Sequence, residues 1–214
     1  MRLFLFGGSI GNKEENVQIL LQYFEDIFNS LNIKEILHIP FARTNGGKEG
    51  WKGDWFGRNI KLNKAKYFNA QNKEDILKVK NPLVLISGGR QSANLLRQLR
   101  KDYLLLDLIK NAKYIVAESA GAKVLAEHTR LGDNDGVLVN GLGIIKDTVI
   151  EPHYLEKDRQ KLLELEMEET GAKYGLGIDS MSGIEFDLNE FPQKYNKLGN
   201  GLFEIIDNSI KNEG

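Results

Sequence analysis

The stretch Tyr114-Ile115-Val116-Ala117-Glu118-Ser119-Ala120-Gly121-Ala122 decides the fold. Its apolar run reads as a buried strand that breaks at one serine and continues through small residues into a helix at Lys123-Val124-Leu125-Ala126. A serine on such a tight strand-to-helix turn is held in a strained backbone conformation, which demands small residues two before and two after it. Ala117 and Gly121 meet that demand. The turn lifts the hydroxyl above the end of the sheet and aims the next amide, that of Ala120 at the helix start, at a developing oxyanion. The same residues also fit a serine N-cap after a strand, which needs no catalysis.

Outward from this turn, strand-like and helix-like segments alternate, and the alternation predicts an α/β fold with a mostly parallel sheet and helices on both faces. Met1 to Phe6 reads as the first strand, and Glu14 to Leu31 as a helix with Val17, Leu20, Leu21, Phe24, Ile27, Phe28 and Leu31 on its buried face. Ile36 to Ala42 reads as a second strand that leaves the sheet at Pro40. Arg43 to Asn59, rich in glycine and carrying Trp51 and Trp55, reads as a long surface loop. A weaker strand-helix unit runs to Val79, followed by the strand Leu83-Val84-Leu85-Ile86 and helices over Ser92 to Leu99 and Tyr103 to Lys110. Beyond the serine, the pattern predicts a strand over Gly143 to Ile150, a helix over Glu156 to Thr170 and several short strands between Tyr174 and Ile206.

Whole-chain numbers narrow the function classes. The 214 residues suit one α/β domain spanning 1–214. With 28% charged residues and a formal net charge of -1, the composition carries no nucleic-acid footprint. Cysteine is absent, which excludes disulfides, thiolate metal sites and a cysteine nucleophile. The apolar start is about half the length of a signal-peptide core, and no stretch approaches the roughly 20 apolar residues of a membrane span. The expectation is a cytoplasmic protein, monomeric or homodimeric, with no membrane or nucleic-acid partner and no metal or organic cofactor.

A serine nucleophile requires a base, and three histidines are available. His38 alternates into an apolar strand and reads as a core or edge histidine. His128 lies nine residues after Ser119 on the expected helix, roughly 13 Å along its axis at about 1.5 Å per residue, out of reach. His153, in Glu151-Pro152-His153-Tyr154, follows a buried strand, where a loop above the carboxyl end of an open sheet holds active-site groups. An orienting acid is expected from Asp133 or Asp135 in Leu131-Gly132-Asp133-Asn134-Asp135-Gly136, with Asp147 and Asp158 less well placed. That run is also an ordinary turn signature, and it lacks the remaining ligands of a calcium loop. Gly88-Gly89 offers a second oxyanion donor, although such a pair also serves many strand-helix turns.

In this order, Ile39-Pro40-Phe41-Ala42, Ser87-Gly88-Gly89-Arg90-Gln91-Ser92, Glu118-Ser119-Ala120-Gly121-Ala122 and Pro152-His153-Tyr154 resemble the serine peptidases that include peptidase E (aspartyl dipeptidase) and cyanophycinase. The resemblance implies a flavodoxin-like three-layer α/β/α sandwich of the class I glutamine amidotransferase-like kind. It implies Ser119 as nucleophile, His153 as base, Gly89 and Ala120 as oxyanion donors, and Asp133 or Asp135 as acid, the Asn134-Asp135 pair favouring Asp135. The implied substrate is a short peptide with an N-terminal Asp, cleaved through an acyl-enzyme. An esterase or an isoaspartyl or cyanophycin-type peptidase with the same triad is the alternative, as is a silent relative that binds a peptide or metabolite. Two arginines bear on substrate choice. Arg90 stands where the family has glycine, so it either binds an acidic group or narrows the pocket. Arg159 resembles a family arginine suited to a substrate carboxylate, and equally fits a solvated first-turn position. Asp179, in Gly177-Ile178-Asp179, resembles a family acidic position near the active site and fits a strand-end turn as well.

Overall fold

The computed structural model describes residues 1–10, 14–43, 59–62, 64–132 and 136–208. Among them, a seven-stranded sheet carries the order β11-β10-β1-β5-β4-β2-β3, formed by β1 (Arg2–Phe6), β2 (Glu35–Ile39), β3 (Lys66–Asn69), β4 (Leu83–Ile86), β5 (Tyr114–Glu118), β10 (Ser182–Asp187) and β11 (Asn196–Gly199). Strands β1, β5, β4, β2 and β3 run parallel; β10 and β11 add antiparallel at one edge. A second sheet, β12-β9-β8, is built from β8 (Thr148–Pro152), β9 (Tyr174–Ile178) and β12 (Phe203–Asp207). Strands β6 (His128–Leu131) and β7 (Val137–Asn140) pair with each other.

Alternation along β1 divides the core. Phe4 and Phe6 face helix α1 (Glu14–Ser30), where they meet Val17, Leu21, Phe24 and Phe28 together with Ile36, Leu85 and Val116. Leu3 and Leu5 face the other way, with Val84, Ile86, Ile115 and Ala117, against Leu95, Leu99, Leu105 and Ile109 of α3 (Ser92–Lys101) and α4 (Tyr103–Lys110). A strand buried on both faces needs apolar residues at successive positions, and Leu83–Ile86 and Tyr114–Ala117 have them. The outcome is the expected three-layer mixed α/β architecture. Short helix α2 (Lys73–Lys78) follows β3 and is capped by the Asn72 side chain, and α6 (Gln160–Thr170) packs Leu163 and Met167 on Val149 of β8.

Three local expectations are corrected. The helix after Ser119, α5, spans only Ala120–Lys123, because the carbonyls of Val124, Leu125 and Ala126 accept amides from Leu142, Ile145 and Gly143 instead of continuing the helix. His128 is therefore a strand residue, not a position on that helix. The Gly143 to Ile150 strand shifts to Thr148–Pro152, since 143–145 is occupied by that pairing. The helix expected from Glu156 starts at Gln160, because 154–158 is a turn with Asp158 at φ 51°. The long loop predicted over Arg43 to Asn59, with both tryptophans, lies almost wholly outside the described residues. Among the described residues no helix is long and apolar enough to cross a membrane.

Candidate active site

Ser119 leaves β5 at φ 51° and ψ −118°. An L-residue held in such a region costs about 1–3 kcal/mol and persists only when its surroundings fix it. The fixing groups are visible: the Ser119 amide donates to the Phe6 carbonyl at 2.8 Å, and its carbonyl accepts the Lys123 amide at 3.0 Å. The demand for small neighbours is also met physically. A Cβ on Gly121 would run into the Ile86 carbonyl, and one on Gly88 would sit 2.6 Å from the Ser119 Cβ. With one turn of helix, α5 contributes individual amides rather than a macrodipole.

His153 follows β8 at φ 58° and places Nε2 3.0 Å from the Ser119 hydroxyl. Its ring lies over the turn after β1, where a Cβ on Gly8 would come within 2.8 Å of Cε1. On the far side, Nδ1 is 2.7 Å from the Ser180 hydroxyl and 3.1 Å from Glu156 Oε2, and the Ser180 hydroxyl donates to the same Glu156 oxygen. These contacts choose the tautomer. A hydroxyl has one proton, and an ionised carboxylate only accepts. With that proton on Glu156, Ser180 accepts from Nδ1–H, and Nε2 is left bare to receive the Ser119 proton. Asp179 holds the arrangement, its Oδ1 accepting the amides of Leu155 at 3.1 Å and Glu156 at 3.2 Å. Burial holds the imidazole below its ordinary pKa of 6.5, partly offset by the hydrogen bond to Glu156.

The amides around the serine are divided. Gly88 N–H donates to Glu118 Oε1 at 2.7 Å, whereas the amides of Gly89 and Ala120, both on the cleft, meet no acceptor among the described residues. Gly89 sits at φ 153° against the Ala42 backbone, a contact a side chain would obstruct. The cleft, about 590 Å³, is lined by Ser119 and His153 and also by Arg43, Arg90, Lys157 and Arg159. Arg90 and Lys157 are exposed at its mouth. Arg43 Nη2 binds Glu118 Oε1 at 2.9 Å.

Arg159 departs from a solvated first-turn position: it is 3% exposed, and its Nη1 donates to Glu151 Oε2 at 2.7 Å and the Pro152 carbonyl at 2.9 Å. Glu151, fully buried, also pairs with Lys123 of α5. One carboxylate thus joins the helix that follows the serine to the strand that ends at the histidine. Nearby Glu166 binds Arg130 Nε at 2.7 Å and is pushed up to about 7 by burial and by the Glu151 charge. Asp133 and Asp135 lie outside the described residues. No cluster of three or more metal-ligating side chains occurs among the described residues.

The sequence expectations give no site role to Gly8, Arg43, Glu118, Glu156, Lys157 or Ser180. Glu118 had a local signal, a charged residue ending an otherwise apolar strand beside the serine. Glu156 had a weak one, three residues after His153. Ser180 is 27 residues from His153, and nothing local marks it.

A strained serine thus faces a histidine at the carboxyl ends of strands in a three-layer α/β fold. The sequence signature of Peptidase family S51 matches residues 3–192, and the chain belongs to that family. No curated protein sequence matches it. Two solved structures share the fold. A peptidase from an acI-B1 Actinobacterium superimposes with a TM-score of 0.59 at 19% identity, covering 96% of this chain and 90% of that one. A protein assigned as a peptidase E in Listeria monocytogenes EGD-e superimposes with a TM-score of 0.62 at 16% identity, covering 94% and 98%.

Proposed function

We propose that this S51 peptidase hydrolyses short peptides with an acidic N-terminal residue, Asp foremost, through Ser119 and an acyl-enzyme. The observation that carries the reading is the 3.0 Å approach of His153 Nε2 to a Ser119 hydroxyl held at positive φ. His153 takes the Ser119 proton as Oγ attacks the scissile carbonyl, and the oxyanion is received by the amides of Gly89 and Ala120. The imidazolium then protonates the leaving amine, the peptide C–N bond breaks, and the acyl group remains on Oγ. Water, deprotonated by His153, releases the acid and restores the serine.

In this reading Glu156 orients His153, acting directly and through Ser180; Asp133 and Asp135, the acids the family resemblance implies, lie outside the described residues. Arg43, Arg90 and Lys157 on the cleft support a substrate with a carboxylate near the scissile bond. The test is hydrolysis of Asp-X, isoAsp-X and neutral dipeptides by wild type and Ser119→Ala. Cleavage of Asp-X that vanishes in Ser119→Ala is expected. Cleavage that survives the substitution would remove Ser119 from the mechanism, and preference for neutral N-terminal residues would remove the acidic substrate.

A further inference from the structure

Glu118 ends β5 directly before the nucleophile and is 4% exposed. A carboxylate taken out of water is costly unless its oxygens are satisfied. Oε1 is doubly satisfied, by the Gly88 amide at 2.7 Å and by Arg43 Nη2 at 2.9 Å. Oε2 receives no donor from the described residues, and the side chain lines the cleft. Holding Gly88 N–H requires only a neutral acceptor such as an amide oxygen. Arg43 balances this charge on the Oε1 side, and Oε2, without a donor among the described residues on a side chain that lines the cleft, suits a positive charge on the substrate.

The geometry identifies that charge. A Cβ position built on Gly88 lies 2.6 Å from the Ser119 Cβ and 3.2 Å from the Glu118 carboxyl carbon, so nucleophile and carboxylate straddle one glycine. In a peptide's first residue the α-nitrogen is about 2.5 Å from the carbonyl carbon, by the standard N–Cα and Cα–C bond lengths. A peptide whose first carbonyl is seated at Ser119 therefore carries its α-ammonium into the vicinity of Glu118. Arg43, paired with the other oxygen, sets a cation beside this anion. An N-terminal Asp presents the complementary pair, an ammonium and a carboxylate on neighbouring carbons.

Resting on the assignment of Ser119 as nucleophile, we propose that Glu118 binds the substrate α-ammonium and restricts the enzyme to peptides with a free N-terminus, while Arg43 meets the acidic side chain. The test is calorimetric binding of Asp-Leu and N-acetyl-Asp-Leu to the Ser119→Ala protein and to the Glu118→Gln/Ser119→Ala protein. Glutamine keeps an acceptor for Gly88 and Arg43 but loses the charge. The free dipeptide should bind at least tenfold more tightly than its acetylated form, and Glu118→Gln should erase the difference. Equal binding of the two peptides, saturable binding of neither, or discrimination that survives Glu118→Gln would overturn the proposal. The acetylation comparison in Ser119→Ala decides the matter alone if the Gln variant does not fold. Fluorophosphonate labelling of wild type separates the two readings: a labelled Ser119 without discrimination sinks only the role of Glu118, and an unlabelled Ser119 sinks the nucleophile assignment beneath it.

Discussion

The Ser180 hydroxyl lies 2.7 Å from His153 Nδ1 and donates its proton to Glu156, so the imidazole carries its own proton on Nδ1 and faces Ser119 with a bare nitrogen. Ser180→Ala and Glu156→Gln should each lower kcat while changing KM little, because neither side chain is assigned to the substrate. A loss of about 10²-fold or more is expected for Glu156→Gln, the scale on which misoriented general bases fail. Glu156 also raises the His153 pKa, against the larger effect of burial. The acid limb of kcat/KM should therefore move to lower pH in Glu156→Gln. A pH-rate profile checks both outcomes, and a limb that moves to higher pH would contradict the arrangement.

Glu151 is fully buried between Lys123 and Arg159. Glu151→Gln leaves two buried cations without their counter-charge, so it should cost about 3–5 kcal/mol, as removal of one partner from a buried ion pair does. Urea unfolding measures this directly. A loss below about 1 kcal/mol would mean that the cations find other partners.

Gly121→Ala would drive a Cβ into the Ile86 carbonyl. The strand and helix cannot separate without shifting Ser119, so both stability and activity should fall, the former by about 1–3 kcal/mol as for other overpacked sites. Thermal melting and the hydrolysis rate of the same preparation check the pair of effects. Retention of full activity would show that the turn tolerates widening.

His38 is fully buried between the Tyr67 hydroxyl at 2.5 Å and Ser87 at 3.0 Å, and burial, aided by the Arg43 charge, lowers its pKa to about 3. Between pH 6.5 and 3 the unfolded chain binds a proton here that the folded protein does not, so this group's contribution to stability falls on acidification, by about 1.4 kcal/mol per pH unit at most. Glu166, raised to about 7, acts oppositely, since its folded form holds a proton that the unfolded chain has lost above 4.5. Comparing wild type with His38→Gln at each pH isolates the histidine. Wild type should lose more stability than the variant between pH 6.5 and pH 4, and parallel curves would show that His38 protonates within the fold.

The architecture was legible because its decisive strands are unbroken apolar runs, Leu83–Ile86 and Tyr114–Ala117, flanked by helices with clear apolar faces. The pairing of Ser119 with His153 is legible in the sequence because each directly follows a strand, where local pattern and chemistry coincide. Helix ends are not. Residues 124–126 have good helical character, and only their pairing with 142–145, invisible in local pattern, stops α5. Ser180, which meets His153 Nδ1, carries no local signal for the same reason: β9 returns it beside β8, whereas Asp179 is marked by the family resemblance. Arg159 reads from sequence as a substrate-carboxylate ligand or a solvated first-turn residue because its partner, Glu151, looks locally like a strand-end charge rather than the centre of a buried cluster.

If Ser119 is the nucleophile and His153 its base, covalent labelling separates their two roles. Wild type, Ser119→Ala and His153→Ala should be incubated with a fluorophosphonate probe and the modified peptide mapped by mass spectrometry. Stoichiometric phosphonylation of Ser119 is expected in wild type, none in Ser119→Ala, and labelling slowed by at least about 10²-fold in His153→Ala. Labelling of another residue, or equal rates in wild type and His153→Ala, would contradict these roles.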